Sequence, residues 1–183
     1  MVLINSKRLM QNPNLRMLNL FKKHCKNCKD FCCLKEFNIA FFREEIKAIA
    51  ENDNYKNLDF WKKIKKYKEH SIPEKKVIKI KINNGCVFLG KNGCQLEKEQ
   101  RPLDCITYPV FPVIDFNGKE KIDVFGILVH KGCYLAKDIA KDKILINKAL
   151  KLWEEIIREH TKAELVDWLS DCYDKRIRDY YIL

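Results

Sequence analysis

The nine cysteines and four histidines of this 183-residue chain are the side chains whose types and spacing could do chemistry. Four cysteines form a first group, Cys25-x-x-Cys28-x-x-x-Cys32-Cys33. On a helix, with about 100° per residue, Cys25, Cys28 and Cys32 would lie within about 60° of one another. Clustered thiolates supply both the ligands and the negative charge that a metal cation needs. The first group therefore indicates a metal site.

A second group of cysteines is spread over the middle of the chain: Cys86, Cys94, Cys105 and Cys133. A glycine directly precedes three of them: Gly85, Gly93 and Gly132. Glycine allows a sharp turn and lets backbone N–H groups approach a thiolate sulfur. The pattern is typical of turns that carry metal ligands. Eight cysteines divide into two four-thiolate sites, or into one cluster and one single ion.

Disulfide bonds are the alternative use of these cysteines. The sequence has no apolar run of about 18 residues for a membrane span and no visible secretory signal. We therefore expect a cytoplasmic protein, where grouped cysteines favour metals, although proteins of very hot habitats do carry disulfides there. Cys172 falls on an apolar helical stripe and is predicted to be structural. His24 and His130 lie near cysteines without a second histidine at ligand spacing, so we expect them beside a site or on the surface.

The charge of the chain is strongly positive, with 36 basic and 25 acidic residues and a formal net charge of +11. Such an excess can attract nucleic acid, but here basic and acidic residues are interleaved along the chain. A zinc-ribbon-like nucleic-acid-binding protein would need two Cys-x-x-Cys knuckles and a compact basic patch, and the chain has one knuckle. We expect a solvated basic surface and no nucleic-acid partner.

Hydrophobic patterning predicts an α+β fold: a helix-rich single domain over residues 1–183, with a small cysteine-bearing β segment in its middle. The metal-binding core spans about 21–134 and the C-terminal helical part about 138–178. Helices are predicted at residues 9–23, at 38–51 with Asn38 as N-cap, from Asn57, at 144–160, and from Thr161, which forms a capping box with Glu164.

Strands are predicted where apolar residues alternate or β-branched residues concentrate. Ile78, Ile80 and Ile82 alternate with lysines and are followed by a turn at 83–85. A short extended piece is expected at 86–89, then a turn at 90–93. Two further strands are expected at 110–114 and 121–129, joined by a turn. The rest of the chain is predicted to be helical.

Four blocks, in this order, resemble the YkgJ-like cysteine-cluster family: the first cysteine group, Gly85-Cys86-Val87-Phe88-Leu89, Gly93-Cys94-Gln95-Leu96, and Arg101-Pro102-Leu103-Asp104-Cys105-Ile106-Thr107-Tyr108-Pro109. The resemblance covers about residues 21–134. Members are described as zinc- or iron-chelating proteins, and the flagellin lysine N-methylases look like relatives. The resemblance implies that the eight cysteines of both groups are the metal ligands. The chain departs from the family pattern at Ile106, often Arg, and at Tyr134, where Pro is common.

Arg101 and Tyr108 flank Cys105 and are the other candidates for a site. They could hydrogen-bond a sulfur or bind the carboxylate of a cofactor or substrate. Alternatively, Arg101 stiffens the loop and Tyr108 packs beside the site. Both interpretations remain open at this point.

We expect a metal-binding protein that holds zinc or an iron–sulfur cluster, with [4Fe–4S] favoured, in a structural, redox or regulatory role. The first alternative is an enzyme that resembles the S-adenosylmethionine-dependent lysine methylases, and the second is the nucleic-acid-binding protein. No Gly-x-Gly-x-x-Gly unit for a nucleotide is present. Besides metal ions, a small-molecule or protein substrate remains open as a partner.

Overall fold

The computed structural model describes residues 16–17, 19–21, 37–55, 77–82, 86, 88–91, 93–115, 122–173 and 179–183. Within these ranges the chain has the predicted α+β fold, with helices and three small antiparallel sheets. Of the predicted first helix, residues 16, 17 and 19–21 are described and are helical. The first cysteine group, His24, the helix predicted from Asn57 and the turn predicted at 83–85 lie outside the described residues.

The first sheet pairs β1 (Phe37–Phe42) with β2 (Val77–Ile82), which confirms the predicted strand at 78–82. The predicted helix start at Asn38 is wrong, because β1 occupies those positions and helix α1 (Arg43–Glu51) begins after it. The reason is burial on both faces of the strand. Ala40 and Phe42 belong to the main core, and Ile39 and Phe41 on the opposite face are also buried. Aromatic and β-branched residues suit such a strand.

The second sheet is a hairpin of β3 (Leu89–Gly90) and β4 (Gly93–Cys94), which confirms the predicted turn between them. The extended piece predicted from Cys86 is wrong. The Leu89 N–H donates to the Cys86 carbonyl at 3.0 Å, so the chain turns there before it enters β3. This turn buries Phe88, whose carbonyl accepts the Gln95 N–H at 2.7 Å. Burial of the Phe88 ring stabilises this turn more than an extended conformation would, because so short a segment can form few strand hydrogen bonds.

Helix α2 (Leu103–Thr107) follows this hairpin and leads, through a cis Tyr108–Pro109 peptide bond, into the third sheet. That sheet has the order β5-β6-β7, with β5 (Val110–Asp115) and β6 (Asp123–His130) confirming the two predicted strands. Strand β7 (Tyr180–Ile182) was not predicted, since we expected only helices in that part of the chain. Its three residues carry no visible period, and only pairing with the distant β6 makes them a strand.

Three helices fill the C-terminal part: α3 (Ala136–Lys141), α4 (Lys143–Ile157) and α5 (Lys162–Tyr173). Helix α4 ends three residues before its predicted end. The capping box of α5 is confirmed, because Glu164 Oε2 accepts the Thr161 N–H at 2.7 Å and Thr161 Oγ1 accepts the Glu164 N–H at 3.3 Å. Val166 of α5 is 43% exposed. The side chain of Cys172 lies outside the described residues.

One main core joins these elements, and Trp168 of α5 lies at its centre. The Trp168 ring centroid is 5.5 Å from that of Trp153, 6.0 Å from that of Phe111 and 6.3 Å from that of Phe42. Helix α4 packs on β5 and β6, α5 packs on β1 and β2, and α2 packs on β1. The sheets and their cysteine-bearing loops are therefore fixed to a shared interior. None of the helices in the described ranges is long and apolar enough to span a membrane.

Candidate metal centre

All four cysteines of the second group lie within the described residues. Cys105 is exposed, whereas Cys86, Cys94 and Cys133 are half-buried. The thiolate form of an accessible cysteine is a metal ligand. The donor set at these four positions therefore fits zinc and iron chemistry.

Cys105 and Cys133 lie beyond the same end of the β5–β6 hairpin. Val110 at the start of β5 pairs with Val129 near the end of β6, and the His130 N–H donates to the Pro109 carbonyl at 2.8 Å. Helix α2, which carries Cys105, precedes β5 at this end. The turn that carries Cys133 follows β6 at the same end. The fold thus brings two cysteines that are distant in sequence to one end of one sheet.

The imidazole of His130 links the two cysteine-bearing segments. Its Nδ1 accepts the Gly132 N–H at 3.0 Å and lies 3.4 Å from the Tyr108 hydroxyl. Since Nδ1 accepts from Gly132, a neutral ring carries its hydrogen on Nε2, and the Tyr108 hydroxyl is the donor. The edge of the His130 ring also meets Tyr180 of β7, with ring centroids 4.9 Å apart. His130 is therefore half-buried between the two cysteine-bearing segments.

Gly132 lies where the backbone closely approaches a side chain. A Cβ built at Gly132 would lie 2.6 Å from His130 Cε1 and 2.7 Å from His130 Nδ1. Real Cβ atoms do not come that close to a ring. The group approached is the His130 imidazole, which differs from the thiolate that the sequence suggested.

Cys86 and Cys94 belong to the β3–β4 hairpin and its preceding turn. Leu89 is paired with Cys94 across the hairpin, and its N–H donates to the Cys86 carbonyl. Beyond Cys94 the chain is anchored, because Leu96 is buried and the Glu97 N–H donates to the Tyr55 hydroxyl at 3.0 Å. The two cysteines are therefore neighbours in one anchored hairpin.

The two other predicted site residues make contacts within their own loops. Arg101 is half-buried, and its Nε donates to the Leu96 carbonyl at 3.5 Å. Tyr108 packs against the main core and reaches His130. These contacts fit the interpretation in which both residues brace the loop around Cys105. A role of Arg101 and Tyr108 toward a cofactor or substrate stays a prediction.

Two carboxylates, Glu45 and Asp104, bind backbone N–H groups beside Cys105. Glu45 Oε1 accepts the Leu103 N–H at 2.7 Å, and Glu45 Oε2 accepts the Phe42 N–H at 2.9 Å. Asp104 Oδ2 accepts the Ala40 N–H at 3.1 Å. The sequence gives only a weak signal that Glu45 caps a helix, because a capping box has Ser or Thr at the N-cap, where this chain has Phe42.

Burial raises the pKa of the Glu45 carboxyl from 4.5 to about 7. The two backbone donors act in the opposite direction, since they favour the ionised carboxylate, and the nearby charges of Asp104 and Glu44 raise the pKa further. Glu45 is therefore an acidic group that titrates near neutral pH within a fixed set of hydrogen bonds.

Four of the eight cysteines predicted as ligands lie within the described residues. Among the residues that the structure describes, no three Cys, His, Asp or Glu side chains come together in a way that could hold a metal ion. Cys25, Cys28, Cys32 and Cys33 lie outside these residues, so their part in a site remains a prediction. The described cysteines form two neighbourhoods, Cys86 with Cys94 and Cys105 with Cys133.

Comparison with known proteins gives one match. The family model "CxxCxxCC: Putative zinc- or iron-chelating domain" matches residues 24–128, more than half of the chain. The family name has two residues between its second and third cysteines, where this chain has three, and Cys133 lies beyond the matched range. No curated protein matches the chain. No solved structure matches it either.

Proposed function

The chain belongs to the family of zinc- or iron-chelating CxxCxxCC domains, and we propose that it binds zinc or iron through eight cysteine thiolates. The proposed ligands are the members of both groups: Cys25, Cys28, Cys32, Cys33, Cys86, Cys94, Cys105 and Cys133. Such a centre would serve a structural, redox or regulatory role.

The placement of Cys105 and Cys133 at one end of the β5–β6 hairpin is the observation that carries the proposal. Cysteines that serve only as small apolar residues are buried individually in a core. Here the thiol of Cys105 is exposed and that of Cys133 half-buried, and the backbone of both is fixed by hydrogen bonds. Fixed and accessible thiols at a shared position are what a thiolate-bound metal requires.

The first cysteine group has short connections to the same region. Phe21, four residues before Cys25, is buried in the main core, and β1 begins four residues after Cys33. Four residues span at most about 14 Å. Helix α2 packs on β1, and its Leu103 and Ile106 belong to the same core as Phe21. Chain length therefore allows the first group to supply ligands together with Cys105.

Thiolate ligands alone serve both metals, because Zn(Cys)₄ sites and [4Fe–4S] clusters both use four cysteines. The proposal therefore covers zinc and iron, and the iron–sulfur form favoured from the sequence is tested directly. The family match describes metal chelation and gives no support to the methylase-like enzyme or to the nucleic-acid-binding protein.

The test is purification of the full chain without oxygen, followed by elemental analysis and an absorption spectrum. Bound iron with inorganic sulfide and broad visible absorption would identify an iron–sulfur cluster. A colourless protein with stoichiometric zinc would identify a zinc protein and exclude the iron–sulfur form in that preparation. A folded and reduced protein that retains neither metal, even after reconstitution with each, would contradict the proposal.

A further inference from the structure

Glu45 connects two helices that approach each other from distant parts of the sequence. One of its carboxylate oxygens accepts the N–H of Phe42, directly before α1, and the other accepts the N–H of Leu103, the first residue of α2. The first N–H groups of a helix have no acceptor within that helix. A single carboxylate thus satisfies one such donor from each of the two helices.

Asp104 makes the reciprocal connection. Its Oδ2 accepts the Ala40 N–H of β1, so two consecutive residues of α2 are each bonded to the β1–α1 corner. Among the described residues, β1 pairs with β2 alone, so the N–H groups on its other edge need acceptors from outside that sheet. Cys105 comes directly after Asp104. Helix α2 therefore cannot shift relative to β1 without breaking these hydrogen bonds.

These hydrogen bonds place a carboxylate where burial costs free energy. Glu45 is desolvated and lies close to a second carboxylate, Asp104, and to Glu44. A desolvated carboxylate near like charges costs free energy that apolar packing of similar volume would avoid. What the carboxylate provides instead is direction, because it fixes two named N–H groups in space.

From these contacts we infer that Glu45 is a positioning residue, which holds the backbone beside Cys105 in place relative to β1 and so sets the metal affinity of the folded chain. The inference rests on the proposed function. Glu45 is not a ligand here, and it acts through the backbone of α2.

The test compares Glu45→Gln with Glu44→Gln. Glutamine keeps the size of Glu45 but has one acceptor oxygen, so one of the two N–H groups would face an amide NH₂ donor. Glu44 is the exposed neighbour on the same helix and loses the same charge. Zinc affinity is measured at pH 7.5 by competition with a chromophoric chelator. We expect Glu45→Gln to lower the affinity by about 10- to 100-fold, and Glu44→Gln to match the parent.

A second readout separates positioning from stability. Co²⁺ in place of zinc gives absorption bands that report the geometry of its thiolate ligands, and these should change in Glu45→Gln. If the variant only melts at a lower temperature, with zinc affinity and Co²⁺ spectrum as in the parent, the inference is wrong.

Asp104→Asn provides a milder variant in case Glu45→Gln does not fold. It keeps an acceptor oxygen but weakens the bond to the Ala40 N–H, so we expect a smaller loss of zinc affinity in the same direction. An unchanged affinity in this variant would count against the inference. A parent chain that binds no metal would instead overturn the proposed function itself, and with it the basis of this inference.

Discussion

The Tyr108 hydroxyl lies 3.4 Å from His130 Nδ1, and this contact joins the two cysteine-bearing segments at the end of the β5–β6 hairpin. Tyr108 is the residue directly after α2, and His130 is the last residue of β6. The same imidazole nitrogen accepts the Gly132 N–H, immediately before Cys133. The positions of Cys105 and Cys133 are therefore coupled through one tyrosine–histidine pair.

Tyr108→Phe removes the hydroxyl but keeps the ring that packs on Phe111. We expect the free energy of unfolding of the metal-free protein to fall by about 1 kcal/mol, the usual net contribution of one hydrogen bond. Urea unfolding followed by circular dichroism measures this value. The matched control is a double-mutant cycle with His130→Ala: once the imidazole is gone, Tyr108→Phe should have little further effect. Additive effects would show that the two side chains are not coupled.

Gly132→Ala places a Cβ 2.6 Å from His130 Cε1. The imidazole would have to move away from Tyr108 and Tyr180, so we expect a loss of stability of about 1–3 kcal/mol, as for other overpacked sites. Gly90→Ala is the control, because the atoms nearest to a Cβ there belong to the flexible side chain of Gln95, the first at 3.1 Å. Equal unfolding free energies for the two variants would contradict the importance of the Gly132–His130 approach.

The stability of the metal-free protein should depend on the protonation of Glu45. Its pKa is raised from 4.5 to about 7 by burial. Between these values the folded chain keeps a proton that the unfolded chain has lost, so the free energy of unfolding falls as the pH rises from about 4.5 to about 7. At about 1.4 kcal/mol per pKa unit, the loss is about 3 kcal/mol. Urea unfolding at a series of pH values, with chelator and reductant present, measures it.

Two variants isolate this effect. Glu45→Gln should flatten the profile, and a profile as steep as that of the parent would assign the dependence to other groups. His160 acts with the opposite sign, because burial lowers the pKa of its imidazole below 6.5, although Glu164, Glu159 and Glu44 raise it in part. Its contribution to stability is lost as the pH falls below 6.5. His160→Gln removes that opposing trend and should make the Glu45 dependence steeper.

Cys105→Ser should release metal and lower the melting temperature of the metal-loaded protein by several degrees, because binding to the folded form stabilises it. Cys28→Ser should do the same if the first cysteine group shares the site. Elemental analysis and calorimetry measure both effects. Cys172→Ser is the control and should keep the metal content of the parent. Full metal content in Cys105→Ser and Cys28→Ser would remove both residues from the ligand set.

Local patterns in the sequence predicted much of this fold. The alternation at Ile78, Ile80 and Ile82 predicted β2, and the Thr161–Glu164 capping box predicted the start of α5. Both signals depend only on neighbouring residues. The errors at β1 and β7 concern strands that depend on distant partners, β2 and β6, and no local period records such pairing.

For the candidate centre, the sequence predicted which types of residue take part but not how they are arranged. The glycine–cysteine pairs indicated ligand-bearing turns, and Gly132 does stand at a close approach, but to the His130 ring. Glu45 was missed because its role arises from two backbone N–H groups, at Phe42 and Leu103, that meet only in the folded chain. A carboxylate that binds backbone leaves no side-chain partner to find in the sequence.

The indole pair in the core has an optical consequence. Trp153 and Trp168 are 0% exposed, and neither indole N–H has a partner among the residues that the structure describes. Indoles shielded from water and from hydrogen bonds fluoresce at short wavelength and resist soluble quenchers. The third tryptophan, Trp61, lies outside the described residues and can be replaced by Phe. The remaining tryptophan fluorescence would report whether α4 and α5 are packed on the sheets. Unfolding can therefore be followed by fluorescence whether or not a metal is bound.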